Sequence, residues 1–439
     1  MFKYILKRLG LAIIVLLGVS VIIYFLVRLM PTDYLETKFS AQLLQGTITQ
    51  DQLDEFKKNY GLYMPDAYID ITVSDGEYAG VTFSKDVKQK KYSDASEGFI
   101  SFVEFYMGTY ECDKDNIYLE LKDDSSYRIF DKSEELAKTL ESGRYTADEN
   151  GIVMEKGIYS YNGAATYTVA SLWDKVEAIF AGYFSWLGKM LRGDMGDSFL
   201  YQQPVNTVIG KHMWISFSIS LVALILQFAI AIPLGITSAT RQYSIADYSV
   251  TIITMIGISL PSFFFAALLI KIFSSWLGIF PAFGLVTGGA SYTGIAHVLD
   301  MIHHLILPMI VLVVLSIGSL MRYTRTNMLE VLNSDYIRTA RSKGLSEKKV
   351  VYVHAFRNTM IPLMTLLAGI LPSLFGGAMI TEEVFAIDGI GRLAYKALQQ
   401  GDVPFIMGYN MFLAVLTVIG TLLSDLMYAV VDPRVKLAK

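Results

Sequence analysis

At 439 residues with 53% of them hydrophobic, the chain is too apolar for a soluble protein, whose surface must stay polar. The net charge of −4 is too small to imply nucleic acid or an acidic ligand as a partner. The single cysteine, Cys112, excludes an internal disulfide framework and a cysteine-based metal cage, and reads as an incidental buried thiol.

The N-terminus opens with Lys3, Lys7 and Arg8 before an apolar run, Leu9–Met30. This run exceeds the roughly 7–15 residues of a signal-peptide core, and no small-residue cleavage site follows, so it reads as a retained membrane helix. A bilayer crossing needs about 20 apolar residues. Five further stretches meet that need: Trp214–Ala239, Ser249–Ser275, Leu305–Met321, Met360–Ile380 and Met407–Val431. Pro233, Pro261, Pro308 and Pro372 fall inside them, which bilayer helices tolerate where neighbours satisfy the freed carbonyls.

Orientation follows from the basic residues of short loops. The segment 322–357 carries eight Lys/Arg against three Asp/Glu, and both the N-terminal end and the tail (Arg434, Lys436, Lys439) are basic. Six spans place all three on one side, predicted to be cytoplasmic. Arg28 at the end of the first span reads as a side chain snorkelling to the interface, and Asp425 in the last span as a charge paired with a loop or a neighbouring helix. His303 and His304 sit at a membrane boundary and read as interfacial.

Between the first two spans, residues 66–171 carry 21 Asp/Glu against 11 Lys/Arg and many tyrosines. Alternating runs at Tyr68–Val73, Asn116–Leu121, Tyr127–Phe130, Gly151–Met154 and Tyr159–Tyr167 predict strands, with turns at Asp75-Gly76 and Asn150-Gly151. Ser133–Ser142 reads as a short helix with Leu136 and Leu140 on one face. The expectation is an inserted, mainly-β extracytoplasmic domain whose tyrosines are core and strand-surface residues. Its flanks differ. Thr49–Pro65 reads as an amphipathic helix ending at Gly61, and Leu172–Leu191 as an aromatic amphipathic helix suited to the membrane interface.

The predicted division is therefore 1–30, first span; 31–65, extracytoplasmic helical segment; 66–171, β insert; 172–211, interfacial segment; 212–431, five-helix core with a cytoplasmic loop at 324–358; and 432–439, cytoplasmic tail. Within the loop, Asp335–Lys343 predicts a helix stopped by Gly344 in the left-handed region. Ser346 is placed to cap a second helix whose apolar side is Val350, Val351, Val353 and His354. Such a helix–Gly–helix unit suits a groove on a partner protein.

At this loop the chain resembles the integral-membrane permeases of ABC importers. Ala340-x-x-x-Gly344 matches their "EAA" coupling loop, with Arg338-Thr339 standing where Glu-Ala is usual and Phe356-Arg357 where Leu-Pro is usual. DYIRTARSKGL followed by HAFRN is similar to the first permease subunit of the peptide branch (oligopeptide, dipeptide, nickel). Other segments agree: Arg28-Leu-Met-Pro31, Gly193-Asp-Met-Gly-Asp-Ser198, Gly257-Ile-Ser-Leu-Pro261, Glu383-Val-Phe385 with Gly389-Ile-Gly391, and Asp432-Pro-Arg434. Asp388 replaces the proline usual before Gly389. The likeness covers roughly 1–65 and 172–439, and leaves the insert aside.

The resemblance implies an all-α polytopic permease of the type I importer fold with six transmembrane helices, set among the lipids of the cell membrane. It also implies a heterodimer with a second permease, two cytoplasmic ATPases carrying ATP and Mg, and an extracellular substrate-binding protein. The sequence has no G-x-x-x-x-G-K-[ST] phosphate loop, so it reads as a transport subunit and not as the ATPase. The coupling residues implied are Asp335, Tyr336, Arg338, Ala340, Arg341, Gly344 and Leu345. In the fifth span, Gly369, Ser373 and Gly377 recur at four-residue spacing, a pattern that either packs helices closely or, together with Pro261 of the third span, lines a pore. Oligopeptides are the expected cargo, with nickel or another small solute as the alternative. A secondary carrier or a membrane sensor fits less well, because intramembrane charge is sparse and no inverted repeat is evident.

Overall fold

The computed structural model describes residues 2–28, 39, 53–54, 57–58, 61–87, 89–112, 116–132, 137–156, 159–289 and 292–431. The chain divides into two compact units, one of Leu35–Gly188 and one of Met1–Tyr34 with Lys189–Lys439.

The first of these holds β1 (Ala67–Val73), β2 (Thr82–Val87), α2 (Gln89–Ser96), α3 (Phe102–Tyr106), β3 (Gly108–Cys112), β4 (Ile117–Leu121), β5 (Ser126–Asp131), β6 (Lys138–Asp148), β7 (Gly151–Lys156) and β8 (Tyr159–Val169); α1 is the N-terminal helix Phe2–Arg28. The eight strands form a closed antiparallel meander in which β8 returns to pair with β1. Alternation explains β1: Ala67, Ile69, Ile71 and Val73 are buried while the residues between them lean outward, as the period of 2 requires. The barrel interior is packed with side chains, including Phe83, Leu119, Ile129 and Ile152, and α2 and α3 add Ala95, Phe105 and Tyr106 to it.

Three tyrosines are fully buried in this core, and each places its hydroxyl on an acceptor. Tyr110 donates to Tyr106 O (2.7 Å), Tyr145 to Lys122 O (2.9 Å) and Tyr127 to Glu141 Oε1 (2.8 Å). The charged Glu141 is tolerated inside because Lys156 also reaches it, at 2.9 Å. Cys112 is half-buried at the end of β3.

Here the structure departs from the sequence reading at three points. Residues 138–142, expected in a helix with Ser133, open strand β6; residues 133–136 lie outside the described set. In β6 the inward positions include Glu141 and Tyr145 while Leu140 is 40% exposed, so the apolar alternation that signals a strand is missing. Asp75-Gly76 does not make a two-residue hairpin, since 74–81 connect β1 to β2. At the other hairpin Asp148 pairs with Gly151, so the turn residues are Glu149 and Asn150.

The helix α4 (Leu172–Leu191) starts from a reciprocal cap, Ser171 N to Asp174 Oδ2 at 2.7 Å and Asp174 N to Ser171 Oγ at 3.3 Å. Of the helix expected at Thr49–Pro65, only 53–54, 57–58 and 61–65 are described.

The second unit continues with α5 (Val205–Thr240), α6 (Ile245–Ser259), α7 (Ser262–Leu269, extended by π turns over Ile270–Trp276), α8 (Ile295–Leu332), α9 (Asp335–Ser342) and α10 (Glu347–Lys349, extended by π turns over Val350–Ala355). It ends with α11 (Phe356–Gly369), α12 (Leu371–Gly376), α13 (Met379–Val384), α14 (Ile390–Gln399) and α15 (Val403–Val431). Among the described residues four helices are long and apolar enough to cross a bilayer: Lys7–Arg28, Val205–Thr240, Ile295–Leu332 and Val403–Ser424.

Two of the six expected spans are not single helices. The third, Ser249–Ser275, is a pair of helices bent by 103°. Pro261 starts the second of the pair and holds Leu260 extended, at φ −83° and ψ 128°, because the proline ring excludes the helical region for the residue before it. The fifth, Met360–Ile380, is divided among α11, α12 and α13, with Gly377 at φ +76° closing α12. Arg28 lies over the Tyr24 ring at 5.1 Å. His304 is buried with Nδ1 2.9 Å from Asp300 O, and His303 Nε2 is 2.9 Å from Ile279 O. The side chain of Asp425, residues 29–31 of the Arg28–Pro31 motif and the 432–439 tail fall outside the described residues.

Candidate functional site

The 335–358 loop is a folded element. Ser334 precedes α9 with its hydroxyl turned back to Val331 O at 2.6 Å, and Asp335 sits in the first turn with Arg338 3.6 Å away. Gly344 closes α9 at φ +74°, with its N–H on Arg341 O at 2.9 Å. A side chain there meets no neighbour, so only the left-handed backbone asks for glycine. Ser346 stands at the start of α10 without a side-chain cap bond. The expected hydroxyl cap is replaced by backbone bonds to Ser346 O from Lys349 N (2.8 Å) and Val350 N (3.0 Å).

One side of this loop is anchored. Ile337, Ala340, Val350, Val351 and Ala355 are buried in a cluster with Ile236 and Ala239 of α5 and Met328 of α8, and Leu345 packs against it. The other side is free. Tyr336 is 47% and Tyr352 53% exposed, and Asp335, Arg338 and Gly344 are exposed. Arg341 forks onto Glu347 (Nε to Oε2 3.2 Å, Nη2 to Oε1 2.7 Å), bridging the two helical pieces. That guanidinium hydrogen bond holds the Glu347 carboxyl below its ordinary range. From Glu347 the chain stays helical through the π turns into α11.

A second constellation surrounds Glu382. Its carboxylate is buried and accepts from Ser216 Oγ (2.8 Å), Ala378 N (3.0 Å) and Arg392 N (3.0 Å). Ser216 Oγ in turn accepts from Ile390 N at 2.8 Å. The expected motif glycines make the room: a Cβ on Gly377, Gly389 or Gly391 comes within 2.7, 2.5 and 2.9 Å respectively of a Glu382 carboxylate oxygen. Arg392 pairs with Glu383 (3.0 Å) and with Asp388 (2.7 Å). Asp388 thus reaches Arg392 across the turn, with its own side chain largely exposed. Phe385 and Ile387 plug into α7 and α8 beside Ala266, Leu307 and Val311.

A third explains the Gly193–Ser198 motif. Ser198 Oγ donates to the buried carboxylate of Asp402, which also accepts Leu200 N at 3.0 Å and caps α15 through Phe405 N at 3.3 Å. The motif thus ties the entry to α5 to the start of α15.

The structure separates the four residues expected to pack helices or line a pore. Gly369 ends α11 with open space beside it, Ser373 is exposed on α12, Gly377 is drawn to Glu382, and Pro261 marks the bend between α6 and α7. The four-residue spacing does not make one helical face, because the chain turns between them. The sequence reading passed over Glu382, Ser216 and Asp402. A glutamate pair beside an apolar run followed by Gly-x-Gly, and Asp-x-Pro before a span, were the available signals.

Residues 231–437 match the family described as binding-protein-dependent transport system inner membrane component. The oligopeptide transport system permease protein AppB of Bacillus subtilis (strain 168) is 41% identical over 258 residues, 58% of this chain and 80% of that one. The dipeptide transport system permease protein DppB of the same strain is 34% identical over 258 residues, 58% of this chain and 79% of that one. A putative peptide transport system permease of Brucella abortus (strain 2308) is 39% identical over 251 residues, 57% and 78%. Among solved structures, an inward-facing MetNI methionine ABC transporter aligns at 16% identity and a TM-score of 0.39, over 51% of this chain and 96% of that one.

Proposed function

Because this chain belongs to the family of inner-membrane components of binding-protein-dependent transport systems, we propose that it is the permease subunit of an ATP-driven peptide importer. In this reading it forms the translocation path with a second permease. Of the two ATPases in the assembly, one docks on the 335–358 loop from the cytoplasm, and an extracellular binding protein delivers the peptide. Both termini are cytoplasmic and the 66–171 domain is extracytoplasmic. ATP is hydrolysed by the partners, and this chain carries the resulting motion.

The observation that carries the reading is the two-sided loop. Its apolar side is fixed on the ends of α5 and α8, while Tyr336, Arg338 and Arg341 present a polar, aromatic side to a partner. A helix continuous with α11 leaves it. Closure of the ATPase pair, one member of it held on that face, drags α11 and, through the buried cluster, α5 and α8. The equilibrium between inward- and outward-open forms then shifts by the difference in ATPase affinity for the two.

Gly344→Trp tests this. The expected result is normal membrane insertion with loss of ATPase subunits on pull-down and loss of peptide uptake. Retained association together with normal uptake overturns the assignment.

A further inference from the structure

The last helix has two unlike exposed faces. On α15, Asn410, Thr417 and Thr421 are exposed, with the small Ala414 between them. At 100° per residue they fall within an arc of roughly 60°. Val415, Ile419 and Leu423 are 38%, 43% and 44% exposed, and they centre on the opposite side, roughly 180° away. Elsewhere α15 packs against α1, α11 and α12.

From Asn410 to Thr421 the polar face runs about 17 Å along the axis, more than half of a hydrocarbon core of about 30 Å. Each polar side chain turns a donor back to its own helix: Asn410 Nδ2 to Ile406 O (2.8 Å), Thr417 Oγ1 to Leu413 O (2.7 Å) and Thr421 Oγ1 to Thr417 O (2.8 Å). The hydroxyl lone pairs and the remaining amide groups of Asn410 stay on the exposed face. Facing lipid, such groups carry a desolvation cost that an apolar residue at the same place avoids. The apolar face across the helix has no such cost.

We infer that the Asn410–Thr417–Thr421 face of α15 lines the water-filled translocation path and offers hydrogen bonds to the backbone of a passing peptide, while the Val415–Ile419–Leu423 face meets lipid. This deepens the permease reading and rests on it. Uncharged hydroxyls and an amide recognise the repeating C=O and N–H groups common to all peptides and select no side chain. The axial gap of about 10 Å between Asn410 and Thr417 matches roughly three residues of extended chain. Such contacts are weak and replaceable, which suits passage more than retention.

The test uses the assembled importer in membrane vesicles, with Cys112→Ser as background and single cysteines placed at 410, 417 and 421 or at 415, 419 and 423. A charged, membrane-impermeant methanethiosulfonate is added, and modification of this chain is followed by mass spectrometry. Because only the thiolate reacts and ionisation requires water, the polar-face cysteines are expected to react at least about tenfold faster. A transported tripeptide is expected to slow them. Equal rates on the two faces, or faster reaction at 415, 419 and 423, overturn the inference and leave the polar face as a protein contact. ATP-dependent peptide uptake is measured in the same vesicles. Uptake with equal labelling sinks only this inference, whereas an intact assembly that takes up no peptide sinks the permease reading and this inference with it.

Discussion

Replacing Glu382 by Ala removes a buried acceptor that serves Ser216 Oγ, Ala378 N and Arg392 N. Stranding those donors away from water costs about 3–5 kcal/mol in sum, allowing for partial relaxation. Gly389→Ala acts at the same place from the other side. Its backbone at φ −85° accepts any residue, but the new Cβ lies 2.5 Å from Glu382 Oε2 and presses on the Ser216 hydroxyl. Overpacking of that kind costs about 1–3 kcal/mol. The two effects share one volume, so in the double variant the methyl enters space the carboxylate has vacated. The combined cost is expected to fall short of the sum by about 1 kcal/mol or more, against the 0.3–0.5 kcal/mol scatter of independent sites. The assay is the half-life for thermal inactivation of the detergent-purified assembly, in which about 1.4 kcal/mol on the unfolding barrier is a tenfold change. Additive losses in the double variant refute the carboxylate–glycine cradle.

Other consequences are as specific. Asp402→Ala frees Ser198 and uncaps α15, and is expected to destabilise by about 2–3 kcal/mol, read as a lower apparent melting temperature of the assembly; an unchanged value contradicts the tie. Gly344→Ala meets no steric neighbour and is expected to cost only about 1–2 kcal/mol of backbone strain, so ATPase pull-down is reduced but not abolished; full loss at Ala shows that the space beside Gly344 is occupied by the partner. In the barrel, Tyr145→Phe loses the bond to Lys122 O, a change of about 1 kcal/mol, checked by hydrogen exchange of β6; no change in protection there refutes the role of the bond. Since Ala67 and Val169 are paired neighbours, replacing 67–169 by a short Gly/Ser linker is expected to leave membrane insertion and assembly with the second permease intact, checked by co-purification.

How much of this was legible in the sequence depends on where each residue's partner lies. Apolar runs over Leu9–Met30 and Met407–Val431 announce helices because lipid asks only for local hydrophobicity. Gly344 announces a helix stop because its conformational demand is its own. The break at Gly377 was hidden: its cause is Glu382, five residues on, whose burial depends on Ser216 from another helix. In the barrel, β1 reads clearly through Ile69 and Ile71. By contrast β6 hides its pattern, because its inward Glu141 accepts from the Tyr127 hydroxyl and pairs with Lys156, both on other strands. The anchored side of the 335–358 loop is local in the same way, since Ile337 and Ala340 repeat at helical spacing and are both buried. The Ser198–Asp402 tie spans 204 positions and leaves no local signature beyond a hydroxyl and a carboxylate.

In the proposed importer, ATP hydrolysed by docked partners drives peptide through this chain by way of the 335–358 loop. The most direct measurement is uptake of a labelled oligopeptide by proteoliposomes holding the co-purified assembly, with and without ATP and with the proton gradient collapsed. The expected result is uptake that requires ATP, survives loss of the gradient and vanishes with Gly344→Trp. Uptake that persists without ATP and collapses with the gradient contradicts it.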